Sequence, residues 1–164
     1  MVDGFKRIML PVDFSEHCDR AAEHAAWFAR ISGGTVHLVH VITNPADPLY
    51  QPQEVPHWVM VEHSEEKARA LLADAAQRCL PADCPHECHV LQGDPHDKLL
   101  EAAKRIEPDL IVMSTHGRGG VAHLVIGSVT EKMVRHSPCP VFVIHRPVAS
   151  KRHAGSPGVE SAPA

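Results

Sequence analysis

The stretch with the most chemistry in it runs Val112-Met113-Ser114-Thr115-His116-Gly117-Arg118-Gly119-Gly120 and continues to Ile126-Gly127-Ser128-Val129-Thr130-Glu131. An apolar run ends, and glycines follow that let a backbone approach a ligand closely and adopt positive φ. After Gly127, Ser128 and Thr130 open a helix. Amides at a helix start attract anions, and the two hydroxyls add donors. Arg118 adds a fixed positive charge carrying several donors. Together these residues have the chemistry of a phosphate cradle. No G-x-x-x-x-G-K-[ST] sequence occurs, so the cradle is not a P-loop. Gly117-Arg118-Gly119-Gly120-Val121-Ala122 matches G-x-G-x-x-A. However, it follows a late strand, and Ser137, with His136 and Pro138 beside it, stands where a dinucleotide site has its acidic residue.

Each of these residues also has a plainer use. Asp13 has the chemistry to meet a ribose or a metal, and equally to cap the helix that follows it. Ser128 and Thr130 can contact phosphate, cap their own helix, or do both. Arg118 is either a phosphate ligand or a solvated loop charge. His116 has a pKa suited to a general base, but no nucleophile or second acid is legible beside it, which favours a structural or solvent-facing role.

Fourteen histidines and five cysteines raise the question of metal. On a strand, Cys84, His86 and Cys88 share a face, with Cys79 nearby. Their spacing is not that of a standard zinc site, and strand alternation with one packed and one wet face accounts for it as well. No metal held by protein groups alone is expected. His37 and His40 are expected on the surface or in satisfied contacts. An odd number of cysteines in a chain with no signal-like start argues against a disulfide framework.

Alternating strand-type and helix-type segments must position the loop. Strands are read at 6–12, 35–42, 86–93, 109–113 and 140–144. Helices are read at 16–32, about 58–79, about 95–106 and 128–136. Gly33-Gly34 stops the first helix, and Pro95 suits a first helical position. The run with Pro45, Pro48, Pro52 and Pro56 is expected to be an irregular, mobile loop. This βαβα order predicts an α/β fold: a single three-layer domain with a parallel sheet and helices on both faces. Ligands of such sheets sit beyond the carboxyl ends of strands where the strand order reverses. That draws together Asp13, Val41 and the residues from Ser114 onward. The domain is expected over 1–146, and 147–164 as a disordered tail. The short Lys151-Arg152-His153 run is expected to solvate that tail.

With a net charge of −4, nothing in the balance favours nucleic acid or anionic membrane. No apolar stretch reaches the roughly 18–20 residues of a membrane helix. The N-terminal residues lack a signal-peptide core, so a cytoplasmic location is expected.

The loop resembles the nucleotide motif of the universal stress protein family: glycine, two residues, glycine, nine residues, glycine, then serine or threonine. Gly117, nine residues and Gly127-Ser128 fit it, while Ser114 stands in place of the first glycine. Ile8-Met9-Leu10-Pro11-Val12-Asp13-Phe14-Ser15 and Ser137-Pro138-Cys139-Pro140-Val141-Phe142-Val143-Ile144 are also similar to the family, so the resemblance covers about 5–146. It implies a five-stranded parallel sheet of order 3-2-1-4-5. It further implies an adenine nucleotide, ATP, with its base near Pro11, Val12, Asp13 and Val41. Met113 and Ser114, where the loop begins, would also bind the nucleotide, and the phosphates would lie on Gly117, Arg118, Gly127, Ser128, Val129 and Thr130. Mg2+ or Mn2+ would accompany the phosphates, with Asp13 in reach. A homodimer would form through the last strand, Val141, Phe142, Val143 and Ile144. The function implied is a stress-response regulator with little or no ATP turnover. Two alternatives stand beside it: a slow ATP-hydrolysing enzyme, and an interaction module that binds no nucleotide.

Overall fold

A computed structural model describes residues 4–44, 47, 49, 57–115 and 127–145, with the backbone alone for residues 16 and 57–63. The elements alternate as expected. They are β1 (Arg7–Pro11), α1 (Glu16–Ser32), β2 (Thr35–Ile42), α2 (His57–Cys79), β3 (His86–Gln92), α3 (Pro95–Ile106), β4 (Leu110–Ser114), α4 (Ser128–His136) and β5 (Val141–Ile144). The strands form one sheet of order β3-β2-β1-β4-β5, and every pairing is parallel. The expected tail over 147–164 and most of the proline-rich loop lie outside the described residues.

Strand parity sorts the core into two layers. Ile8, Leu10, Val36, Leu38, Leu110 and Val112 pack against α1 and α2, with Ala21, Ala22, Ala25, Leu72 and Ala76 among their partners. Met9, Val39, Ile111 and Met113 point the other way, onto Leu99, Ala102, Ala103 and Ile106 of α3 and Met133 of α4. A strand buried on both faces reads as a continuous apolar run, which is why Ile8-Met9-Leu10 and Leu110-Ile111-Val112-Met113 show no alternation.

The ends of the elements are set by local chemistry. α1 stops at Gly33, whose left-handed φ of 61° lets its N–H reach the Ala29 carbonyl. Gly34 must be glycine for a different reason: a Cβ there would lie 2.1 Å from the Phe5 carbonyl oxygen. At α3, the Asp94 side chain accepts from the amides of His96 and Asp97, with Pro95 opening the helix. Asp109, expected inside the fourth strand, instead precedes it. Its Oδ2 accepts from the amides of Lys6 and Arg7, each at 2.8 Å, and so fastens the start of β1 beside the start of β4. Pro140 likewise falls just outside β5, although its carbonyl still accepts from the Ile111 amide at 2.9 Å.

Candidate functional site

The strand order reverses between β1 and β4, whose register pairs Ile8 with Leu110 and Met9 with Ile111. One chain half winds outward from β1 and the other from β4, so a crevice opens beyond their carboxyl ends. Pro11, Val12 and Asp13 lie at the end of β1, Val41 near the end of β2, and Met113 and Ser114 at the end of β4. Gly127, Ser128, Val129 and Thr130 begin α4. The fold thus brings these expected residues to the carboxyl-terminal end of the sheet. Gly117 and Arg118, and His116 beside them, lie outside the described residues.

The β1 side is held by a local network. The Val12 amide donates to the Val39 carbonyl at 2.8 Å. Buried His40 holds its Nδ1 2.6 Å from the Val12 carbonyl oxygen. Phe14 adopts φ of 61°, in the left-handed region that a residue with a Cβ enters at a cost, and its ring lies on His40 with centroids 4.3 Å apart. Asp13 Oδ1 accepts from both the amide and the hydroxyl of Ser15, at 3.0 and 2.7 Å. Asp13 therefore braces the turn before α1, while Ser15 occupies the N-cap position itself.

The β4 side is knotted to α4. The Gly127 amide donates to the Thr115 carbonyl at 2.7 Å, and the Thr115 amide donates to the Ile144 carbonyl at 3.0 Å. Thr130 is buried, and its hydroxyl donates to the Ser114 carbonyl at 2.9 Å. The side chain that sequence offers as a phosphate donor thus ties the helix to the strand. Ser128 is exposed, whereas Val129 and Met113 pack their side chains into the core. Gly127 supplies no side-chain cap to α4. The first-turn amides, with their partial positive charge, therefore have no acceptor from the N-cap residue. A Cβ on Gly127 would lie 3.1 Å from the Thr115 oxygen, so the close approach of the two segments favours glycine there.

Phe14 and Thr115 are site-building residues that sequence reasoning did not single out, while His40, expected on the surface or in a satisfied contact, builds the site through its contact with the Val12 carbonyl. The available signal was position: all three flank strand ends that the motif had already marked.

The cysteines carry no reactive signature. All five are free thiols. Burial pushes Cys18 up to about 12 and Cys79 up to about 11, and it raises Cys84, Cys88 and Cys139 as well. Cys84, His86 and Cys88 do not bring their ligand atoms together. Same-face neighbours along one strand are about 6.6 Å apart, so three of them span far more than one ion can bridge. Among the described residues, potential ligand atoms converge in two other groups, His37-Glu87-His89 and Asp94-His96-Asp97.

The family model described as the universal stress protein family matches residues 4–145. A universal stress protein of Thermus aquaticus is 35% identical over 143 residues, spanning 85% of this chain and 98% of that protein. The solved structure of the protein MJ0577, a universal stress protein of Methanocaldococcus jannaschii, superposes with a TM-score of 0.68 at 26% identity, covering 86% of this chain and 96% of that one. A family member from Arabidopsis thaliana, solved with AMP bound, superposes with a TM-score of 0.62 at 24% identity, covering 87% and 93%.

Proposed function

Because the chain belongs to the universal stress protein family, we propose that it is a regulatory protein that binds ATP in the crevice beyond β1 and β4, works as a homodimer and turns ATP over slowly or not at all. One observation carries this reading: α4 begins just after Gly127, beside the switch point of the sheet, and among the described residues no side chain caps it. Amides of that kind suit a phosphate group. The AMP held by the Arabidopsis relative supports adenine as the base. Pro11, Val12, Asp13 and Val41 would surround the base and ribose. Ser114, Gly127 and the amides of Ser128, Val129 and Thr130 would meet the phosphates, together with Gly117 and Arg118.

The donor set fits a phosphate better than a bare cation. Asp13 is the one carboxylate proposed at the site, and its Oδ1 already accepts two hydrogen bonds from Ser15. Mg2+ or Mn2+ would therefore arrive with the phosphates and keep much of its water.

β5 is an edge strand. Beside it, Phe142 of β5 and Trp27 of α1 are 39% and 48% exposed, and both rings stack edge-on against Phe28. An apolar edge of this kind favours pairing with a second copy.

The test is mass analysis of nucleotide released on denaturing freshly purified protein, followed by calorimetry with ATP and Mg2+. Saturable ATP binding with negligible phosphate release is expected. Ser114 in the first motif position favours a second reading, an interaction module without nucleotide, and absence of ATP binding would decide for it. Rapid phosphate release would decide for an enzyme.

A further inference from the structure

On the α3 face of the sheet, His37 of β2 stands directly across from Glu87 of β3, and Val39 across from His89. The His37 Nδ1 and His89 Nε2 atoms are 3.2 Å apart. Glu87 Oε2 lies 3.4 Å from the first and 3.6 Å from the second. The two rings stack with centroids 5.5 Å apart. The His37 side chain is 11% exposed, that of His89 21%, and that of Glu87 61%, so the group opens to solvent at the β3 edge. This cluster lies outside the nucleotide crevice and plays no part in the function proposed above.

We propose that His37 Nδ1, Glu87 Oε2 and His89 Nε2 form a binding site for a divalent transition-metal ion of the Zn2+ type, with the fourth ligand position left to water or an exchangeable ligand. The dimensions carry the proposal. A triangle with the three observed edges has a circumscribed radius of about 2.0 Å, so an ion at about 2.0–2.1 Å from each ligand sits just out of its plane. The face of a tetrahedron with such bonds has edges of about 3.3–3.4 Å, while an octahedral face has edges of about 3.0 Å. The observed edges match the tetrahedral face.

The donor chemistry agrees. Two imidazoles with one carboxylate suit a borderline ion and do not suit Ca2+ or Mg2+. Burial holds both histidines below their ordinary pKa, with Glu87 pulling each partly back up. Neutral rings are the form that binds metal. The positive charges of Arg7, acting on His37, and Arg105, acting on His89, oppose a cation. Against them stand Glu87 itself and Glu107, which pairs with Arg7 at 3.7 Å. Bound metal would cross-link β2 to β3, the edge strand of the sheet among the described residues.

The test uses tag-free, full-length protein stripped by a chelator, titrated with Zn2+ by calorimetry and with Co2+ as the spectroscopic probe. One equivalent of each ion is expected, with the visible absorption of tetrahedral cobalt and no thiolate charge-transfer band. Glu87 sits on the exposed edge, so Glu87→Gln should fold normally, as circular dichroism will report. Glu87→Gln and His89→Gln should each weaken zinc binding beyond the about 10–100-fold cost of losing an outer-shell partner. The Cys84→Ser, Cys88→Ser double variant and Asp97→Asn, at the other converging group, should leave it unchanged. Failure of the wild-type chain to bind zinc stoichiometrically overturns the proposal. So does unchanged affinity in Glu87→Gln and His89→Gln, and so does loss of binding in the cysteine variant.

Discussion

At the carboxyl ends of β1 and β4 the proposed site offers backbone amides, a glycine, the Ser114 and Ser128 hydroxyls and the Asp13 carboxylate. At the β3 edge the groups are two imidazoles and a carboxylate. As a nucleotide site the first region would select by shape and partial charge. Its proposed residues come from four segments, the ends of β1, β2 and β4 and the start of α4, where successive first-turn amides lie side by side. As a metal site the second would select by ligand type, and its residues lie 50 and 52 positions apart in the chain, from His37 to Glu87 and His89, because pairing of β2 with β3 sets them side by side. On the two proposals above, one sheet would hold two kinds of recognition with independent failure modes, and substitutions should separate them.

The largest separation is expected from Gly127→Asp. A carboxylate would enter the start of α4, and the added Cβ would lie 3.1 Å from the Thr115 oxygen. ATP affinity should fall at least about a hundredfold, about 2.8 kcal/mol, while zinc affinity stays unchanged. Calorimetry with each ligand in turn checks this, and equal loss of both would merge the two regions into one. Next comes Asp109→Ala, which removes the acceptor of two backbone amides at the far end of the sheet. It should lower unfolding free energy by about 2 kcal/mol in urea titrations, with both ligand affinities preserved at a temperature where the variant is folded. Phe142→Lys places a charge on the β5 edge and should weaken dimerisation at least about tenfold in sedimentation equilibrium, about 1.4 kcal/mol. The smallest effect is expected of Ser114→Gly, which restores the first motif glycine. ATP affinity should rise about threefold, about 0.6 kcal/mol, and an unchanged value would show that the serine is neutral.

The fold was legible because each strand at the centre of the sheet is an apolar run closed by polar or glycine punctuation. Strand boundaries shifted by one residue at Lys6, Val12, Gly93, Asp109, Ser114 and Pro140; at Asp109 and Pro140 the residue serves the strand through one group without belonging to it. Around the crevice, sequence marked the strand ends correctly but not what individual side chains do there. Nothing local tells that the Thr130 hydroxyl turns inward to the Ser114 carbonyl, since that bond exists only once α4 has docked. The histidine cluster was hidden for the same reason. Reading along a single strand pointed to Cys84, His86 and Cys88, whereas register pairs His37 with Glu87 and so brings ligands from two strands within bonding distance of one ion.

The two hydrogen bonds that join Gly127 to Thr115 and Thr130 to Ser114 fasten both ends of the segment 116–126 to the same strand tip. Whatever path those eleven residues take, the entropy of bringing their ends together has been met by folding, not left for a ligand to overcome. Loop closure depends only weakly on length, with each doubling costing about 0.6 kcal/mol. Residues inserted midway between the two fastenings should therefore leave the melting temperature of the domain nearly untouched, which makes this segment the natural place to graft a new recognition sequence.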